Sequence, residues 1–184
     1  MRKLSKLLFR AALLLLLNGC AMRPPQGPGM TVHFGNGIPG KALIIRDAQT
    51  STGQRFANPG SLAPSRDPYH GGKVMGAAPD GRSLPDWVAF TWFRTDYPDS
   101  IAQTREELSA PTVETEKVAV RDRIPQDVID NIVRSNKLRG SANAPDLGLW
   151  VYFVWFDTGI KLSWTVKDGC CTVVSSGGEP IFRK

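Results

Sequence analysis

Cysteine, histidine and long aliphatic runs are scarce in this chain, and each scarcity removes a class of function. Its 184 residues hold three cysteines and two histidines, His33 and His70. No soft ligands cluster around the cysteines, so a zinc centre is not expected. There is no Gly-x-Ser-x-Gly elbow, no His-Glu-x-x-His pair and no phosphate-binding Gly-rich loop. A hydrolase built on His70 and a loop serine such as Ser65 would lack a carboxylate that the sequence can identify. His33 falls in a β-rich stretch (31–34), where a paired structural histidine is the expected role. The scattered acids, including Asp86, Asp96 and Asp99 around a predicted strand, suit strand ends in water better than a metal. No enzyme activity, cofactor, metal or small-molecule substrate is therefore expected. The purest aliphatic run, Ala11 to Leu17, is far shorter than the ~20 residues of a spanning helix.

What is present begins at the N-terminus. Arg2, Lys3, Lys6 and Arg10 precede that apolar run, which ends in Leu17-Asn18-Gly19-Cys20. A basic start and a short apolar stretch are the charged and hydrophobic regions of an export signal; an ordinary cleaved signal or a short buried helix would also use them. With Gly19 before Cys20 and Leu17 two places earlier, the ending resembles the lipobox of bacterial lipoproteins. That resemblance implies cleavage after residue 19 and acylation of Cys20. Several chains on one cysteine would make the attachment effectively permanent, whereas one chain holds only weakly. Ala21, rather than Asp, follows the cysteine, which resembles a lipoprotein destined for the outer membrane, facing the periplasm.

Removing residues 1–19 changes the charge argument. They hold four positive charges and no acidic residue, so the +6 of the whole chain falls to about +2. The remaining charges are mixed in sign along the sequence, and nucleic-acid binding, which needs a clustered basic footprint, is not expected. About 165 residues remain, enough for one domain with a real core. Residues 20–29 form a Pro/Gly-rich tether after the lipidated cysteine, and 30–184 form a single domain. Within it, 50–83 reads as a long Gly/Pro-rich loop.

The fold class expected is α+β, mainly antiparallel sheet with one amphipathic helix packed on it. Trp87 to Arg94 and Val113 to Val120 read as strands. Val128, Ile129, Ile132 and Val133 form one helical stripe within 124–138, with Pro125 in its first turn, Asp122 as a cap and Gly140 beyond its end. Leu149 to Phe156 and Ile160 to Val166 form a hairpin around Asp157-Thr158-Gly159. The first of these is apolar on both faces, which predicts a central strand or a covered sheet. The second alternates, leaving Lys161, Ser163, Thr165 and Lys167 to meet water or a partner. Cys171 to Ser175 adds a further strand. The five tryptophans lie in predicted strands and are read as core. Cys170 and Cys171 are neighbours, and a disulfide between them would be strained, because Cα atoms ~3.8 Å apart lie below the usual disulfide range of about 4.4–6.8 Å. The preferred reading places them on opposite faces of a strand.

Leu84-Pro85-Asp86 leading into WVAFTWF, the Ile124-Pro125-Gln126-Asp127 helix start and the strand LWVYFVWF give a second resemblance, over residues 84–167. They are similar to a family of uncharacterised Gram-negative lipoproteins that resemble immunity proteins against type VI secreted phospholipases. The resemblance implies function by binding: an anchored domain that meets a secreted lipase toxin and blocks it. Arg55, Phe56, Tyr69 and His70 in the loop, with Lys161 and Lys167 on the hairpin, are the candidate contacts. A structural or assembly lipoprotein of the envelope would share the anchor and the sheet.

Overall fold

A computed structural model of the chain describes residues 28–76, 84–96, 112–138, 147–169 and 172–179. Cys20, the export signal, Asp99, Gly140, Cys170 and Cys171 lie outside the described residues. The fold is α+β, mostly antiparallel sheet with one α-helix among the described residues packed on it. The strands are β1 (Thr31–Asn36), β2 (Lys41–Thr50), β3 (Ser61–Leu62), β4 (Gly72–Gly76), β5 (Trp87–Asp96), β6 (Glu114–Ala119), β7 (Leu147–Phe156), β8 (Gly159–Asp168) and β9 (Thr172–Gly178). They divide between a five-stranded sheet, β4-β1-β7-β8-β9, and a four-stranded sheet, β3-β2-β5-β6.

The hairpin expected from alternation is β7–β8, in register from Leu147↔Asp168 to Phe156↔Gly159. Asp157 and Thr158 make its two-residue turn, and Gly159 takes a φ of 115° that side chains rarely adopt. As its double-sided apolarity predicts, β7 is central. On its far side it pairs with β1 in parallel, the exception to the antiparallel pattern.

Period-2 geometry sends alternate side chains into the space between the sheets. Val32 and Phe34 of β1, Val151, Phe153 and Trp155 of β7, and Val88, Phe90 and Trp92 of β5 are all buried in one cluster. Phe90 is its hub. Its ring meets Phe153 at 5.0 Å and Trp155 at 5.1 Å, both nearly edge-on, and meets Phe34 and Phe56 at 6.2 Å. Edge-to-face contacts of this kind add to the area effect of burial. Trp92, Trp155 and Trp164 are core, as expected; Trp87 and Trp150 are only half-buried.

Helix α1 (Gln126–Leu138) buries Ile129 and Ile132, with Val128 and Val133 half-buried, so the expected stripe is the packed one. Its first backbone bonds run from Val128 and Ile129 to the Pro125 carbonyl. Asp122 does not cap it: that residue sits in a separate 3₁₀ turn, Arg121–Arg123. At the other end Asn136 donates to the Pro28 carbonyl (3.0 Å), and the Leu147 N–H donates to Ser135 (3.4 Å).

Two findings depart from the sequence reading. Strand β2 was not expected; the register shifts between Ile45 and Asp47, so Leu43 and Ile45 point inward before the bulge and Ala48 after it. In the segment read as a loop over 50–83, the described residues carry two short strands and pack closely. Phe56, Ala57 and Leu62 are core residues, and Phe56 lies edge-on to Phe153 at 5.8 Å. Phe56 is thus a packing residue, which corrects its place among the candidate contacts: burial of its ring away from water holds it inside, although Arg55 beside it is exposed.

Deleting the ring at the hub should be costly. Phe90→Ala is expected to lose about 3–5 kcal/mol in denaturant unfolding, whereas Val74→Ala, at a side chain 53% exposed, should stay within about 0.5 kcal/mol of the parent.

Candidate functional site

The outward face of the five-stranded sheet carries the chemistry that the core does not. His33 of β1 is in register with Tyr152 of β7, which is in register with Ser163 of β8. This row was expected to meet water or a partner on β8, yet Ser163 and Thr165 are buried within the chain itself, as are His33 and Tyr152. The Tyr152 hydroxyl and Thr165 Oγ1 share a hydrogen bond (3.4 Å), and the Ser163 hydroxyl donates to the Glu179 carbonyl (2.5 Å). Buried hydroxyls need such partners, because an unmade bond would carry the full desolvation cost.

The segment from Ser65 to Gly72 closes over this face at β1. A carbonyl can only accept, so His33 Nε2 carries the proton that it donates to Pro68 O (3.1 Å). The same carbonyl lies where a side chain on Gly35 would stand, 1.8 Å from an ideal Cβ there. Gly35 is therefore a close-approach glycine: only a bare backbone lets the segment seat on β1. Ser65 Oγ accepts the Asp67 N–H (3.2 Å), and the His70 and Gly71 N–H groups donate to the Asp67 carbonyl (3.2 and 2.7 Å). A compact turn results, and Tyr69 and His70 lie within it.

Tyr69 reaches across to β7 and β8. Its ring meets Phe156 at 6.3 Å and its hydroxyl bonds to Ser163. Burial first, and the nearby Glu179 carboxylate second, push its phenol above the usual value, so it stays protonated. Lys161 Nζ stands 5.4 Å above the Phe156 ring and 3.2 Å from Glu179. His70 has a carboxylate after all: Asp67 Oδ2 is 2.8 Å from its Nδ1. That pair is largely exposed, and such pairs contribute little to stability. The i, i+3 spacing in a turn was the signal available for it.

The remaining candidates lie elsewhere. Arg55 is exposed on the other sheet, bridged to Gln49. Lys167 lies on the same outer face as Lys161 but six residues along β8, about 20 Å at strand rise, with its ammonium 3.8 Å above Trp150. The structure therefore brings Tyr69 and Lys161 together around Phe156, keeps His70 beside Tyr69 in the turn, paired with Asp67, and separates Lys167 from them.

Sequence reasoning also missed a clamp at this end. Arg94 of β5 holds Glu114 through two bonds (2.7 and 3.1 Å) and reaches Asp157 of the hairpin turn (3.0 Å). The bonds to Glu114 are the main cause of its raised pKa. Glu116 of β6 accepts the Ile160 N–H through both oxygens (3.2 and 3.0 Å). Both groups tie the four-stranded sheet to the hairpin and so fix the position of Phe156 and Lys161. Asp86 and Asp96 pair with Arg121 and Lys41, as strand-end acids in water would. No group of three metal-ligating side chains is found among the described residues.

Comparison with models of protein families, with curated proteins and with solved structures finds no match to this chain.

The His33 environment yields a pH signature. Burial, more than any other cause, holds its pKa below the ordinary 6.5; the nearby His70 and Lys167 act in the same direction, against Pro68 and Asp67. The unfolded chain then binds more protons than the folded one. Stability contributed at this site is complete above pH 6.5 and is lost as the pH falls from there toward the lower folded value. Denaturant unfolding between pH 7 and 5 should show a slope of at most about 1.4 kcal/mol per pH unit from this group. His33→Gln should flatten the profile.

Proposed function

We propose that this chain is an outer-membrane-anchored periplasmic lipoprotein that binds a protein partner, the best candidate being a secreted phospholipase toxin that it neutralises. The anchor rests on Leu17-Asn18-Gly19-Cys20 after a basic and apolar start. The partner class rests on the resemblance over 84–167. The observation that carries the binding reading is the convergence of Tyr69 and Lys161 on Phe156, with His70 next to Tyr69 in the same turn and paired with Asp67. This cluster lies at the end of the five-stranded sheet opposite the one where residues 28–30 enter, so a domain anchored through Cys20 would present it away from the membrane. It offers an aromatic platform, a cation and a shaped turn on a rigid sheet, the elements from which interface anchors are made. Neutralising a toxin requires stoichiometric association, typically over about 1,600 Å² of buried surface, and no catalytic group in the binder.

Affinity capture of the chain from the envelope, with bound proteins identified by mass spectrometry, tests this reading. A stoichiometric secreted phospholipase is expected. Its affinity should fall at least about tenfold, or 1.4 kcal/mol, in a Tyr69→Ala, Lys161→Glu variant, while Lys167→Glu leaves it unchanged. Recovery of resident envelope proteins alone would favour a scaffold and contradict the immunity reading.

A further inference from the structure

The opposite end of the same sheet carries a second surface that the partner site does not use. Thr31, the first residue of β1, is in register with Trp150, so the chain enters the domain beside that indole. Trp150 is half-buried, and the Lys167 ammonium stands 3.8 Å above its ring. Lys167 is in register with Val173 on edge strand β9, which places Val173 on the same face. The register then shifts between Val166 and Lys167, and Val174 is the extra residue of the resulting bulge. Val173 is 47% and Val174 56% exposed, two adjacent aliphatic side chains in water. The pairing of Asn136 with Pro28 brings the end of α1, with the exposed Lys137, to the same place. Asp168 is the exposed acid there and partly offsets these cations.

A partly accessible indole capped by a lysine, beside exposed aliphatic side chains, is the composition of a membrane–water boundary. There aromatic rings lie at headgroup level and lysine stems bury while the ammonium stays wet. The length of chain before the domain decides the occupant. Met30 lies ten positions after Cys20, a stretch that fully extended spans at most ~35 Å. A domain held on so short a lead has its entry end beside the bilayer. Resting on the anchored reading above, we propose that Trp150, Val173 and Val174, with Lys167, form a bilayer-contacting patch. The patch seats the entry end on phospholipid and points Tyr69, His70 and Lys161 away from it.

The test uses the full acylated chain, reconstituted in phosphatidylethanolamine–phosphatidylglycerol vesicles whose acyl chains are brominated near the headgroup. Flotation and tryptophan fluorescence are read on the same sample. The expected result is that the chain floats, its fluorescence is quenched, and Trp150→Phe removes most of the quenching. Trp87→Phe, at a half-buried indole on the other sheet under Lys117, should retain it. A Val173→Asp, Val174→Asp variant keeps every tryptophan and should also lose quenching, with its thermal melt confirming that it folds. A chain that floats but shows no quenching, or the same quenching without Trp150, would overturn the patch and leave the anchor standing; a protein seated on these residues would give that result. A chain that does not float would overturn both.

Discussion

The edge-on packing of Phe90 against Phe153 and Trp155 is the contact on which the remaining architecture depends. It joins the central strand of one sheet to the middle of the other, and both sheets need an apolar partner for their inner faces. With the inner side chains of β7 committed to that contact, period 2 assigns Trp150, Tyr152 and Phe156 to the outer face. The same logic on β1 and β8 sets His33 beside Tyr152 and puts Lys161 and Lys167 on that face. The outer surface is thus a consequence of the core, and the segment around Pro68, seated on Gly35, covers His33 in its polar row.

Strand length then separates function along the sheet. β7 and β8 each run ten residues, about 33 Å at strand rise. The hairpin turn and the Pro68 segment meet at one end, clamped by Arg94 and Glu116. The chain entry, α1's last turn and the β9 bulge meet at the other. In the proposed reading, an anchored lipoprotein would gain a fixed orientation from such a layout: one end for the bilayer, the other for a partner approaching through the periplasm. Rigidity matters here, because a preformed surface loses less entropy on association than a flexible loop.

The elements legible in the sequence were those with an unbroken period. β8 alternates without interruption, β7 is apolar on both faces because it is central, and the α1 stripe repeats at helical spacing. β2 escaped notice because its bulge changes phase halfway along LIIRDA, so neither half alone is long enough to register. The parallel pairing of β1 with β7 joins residues more than a hundred positions apart, and no local pattern encodes it. Composition misled over 50–76: frequent Gly and Pro marked turns correctly, but Phe56 and Leu62 among them were sufficient to draw the segment onto the core. The polar site was half legible. Alternation exposed Lys161 and Lys167, whereas the meeting of Tyr69 with Phe156, and of His33 with the Pro68 carbonyl, depends on contacts across the fold.

The proposed polarity of the domain begins at one residue, so the most direct measurement is the mass of the N-terminal peptide of the chain extracted from its native envelope. The expected peptide begins at Cys20 and carries a diacylglyceryl group with a third acyl chain on its amine. An unmodified peptide, whether it retains Met1 or begins beyond Cys20, would contradict the anchor and with it the assignment of the two ends.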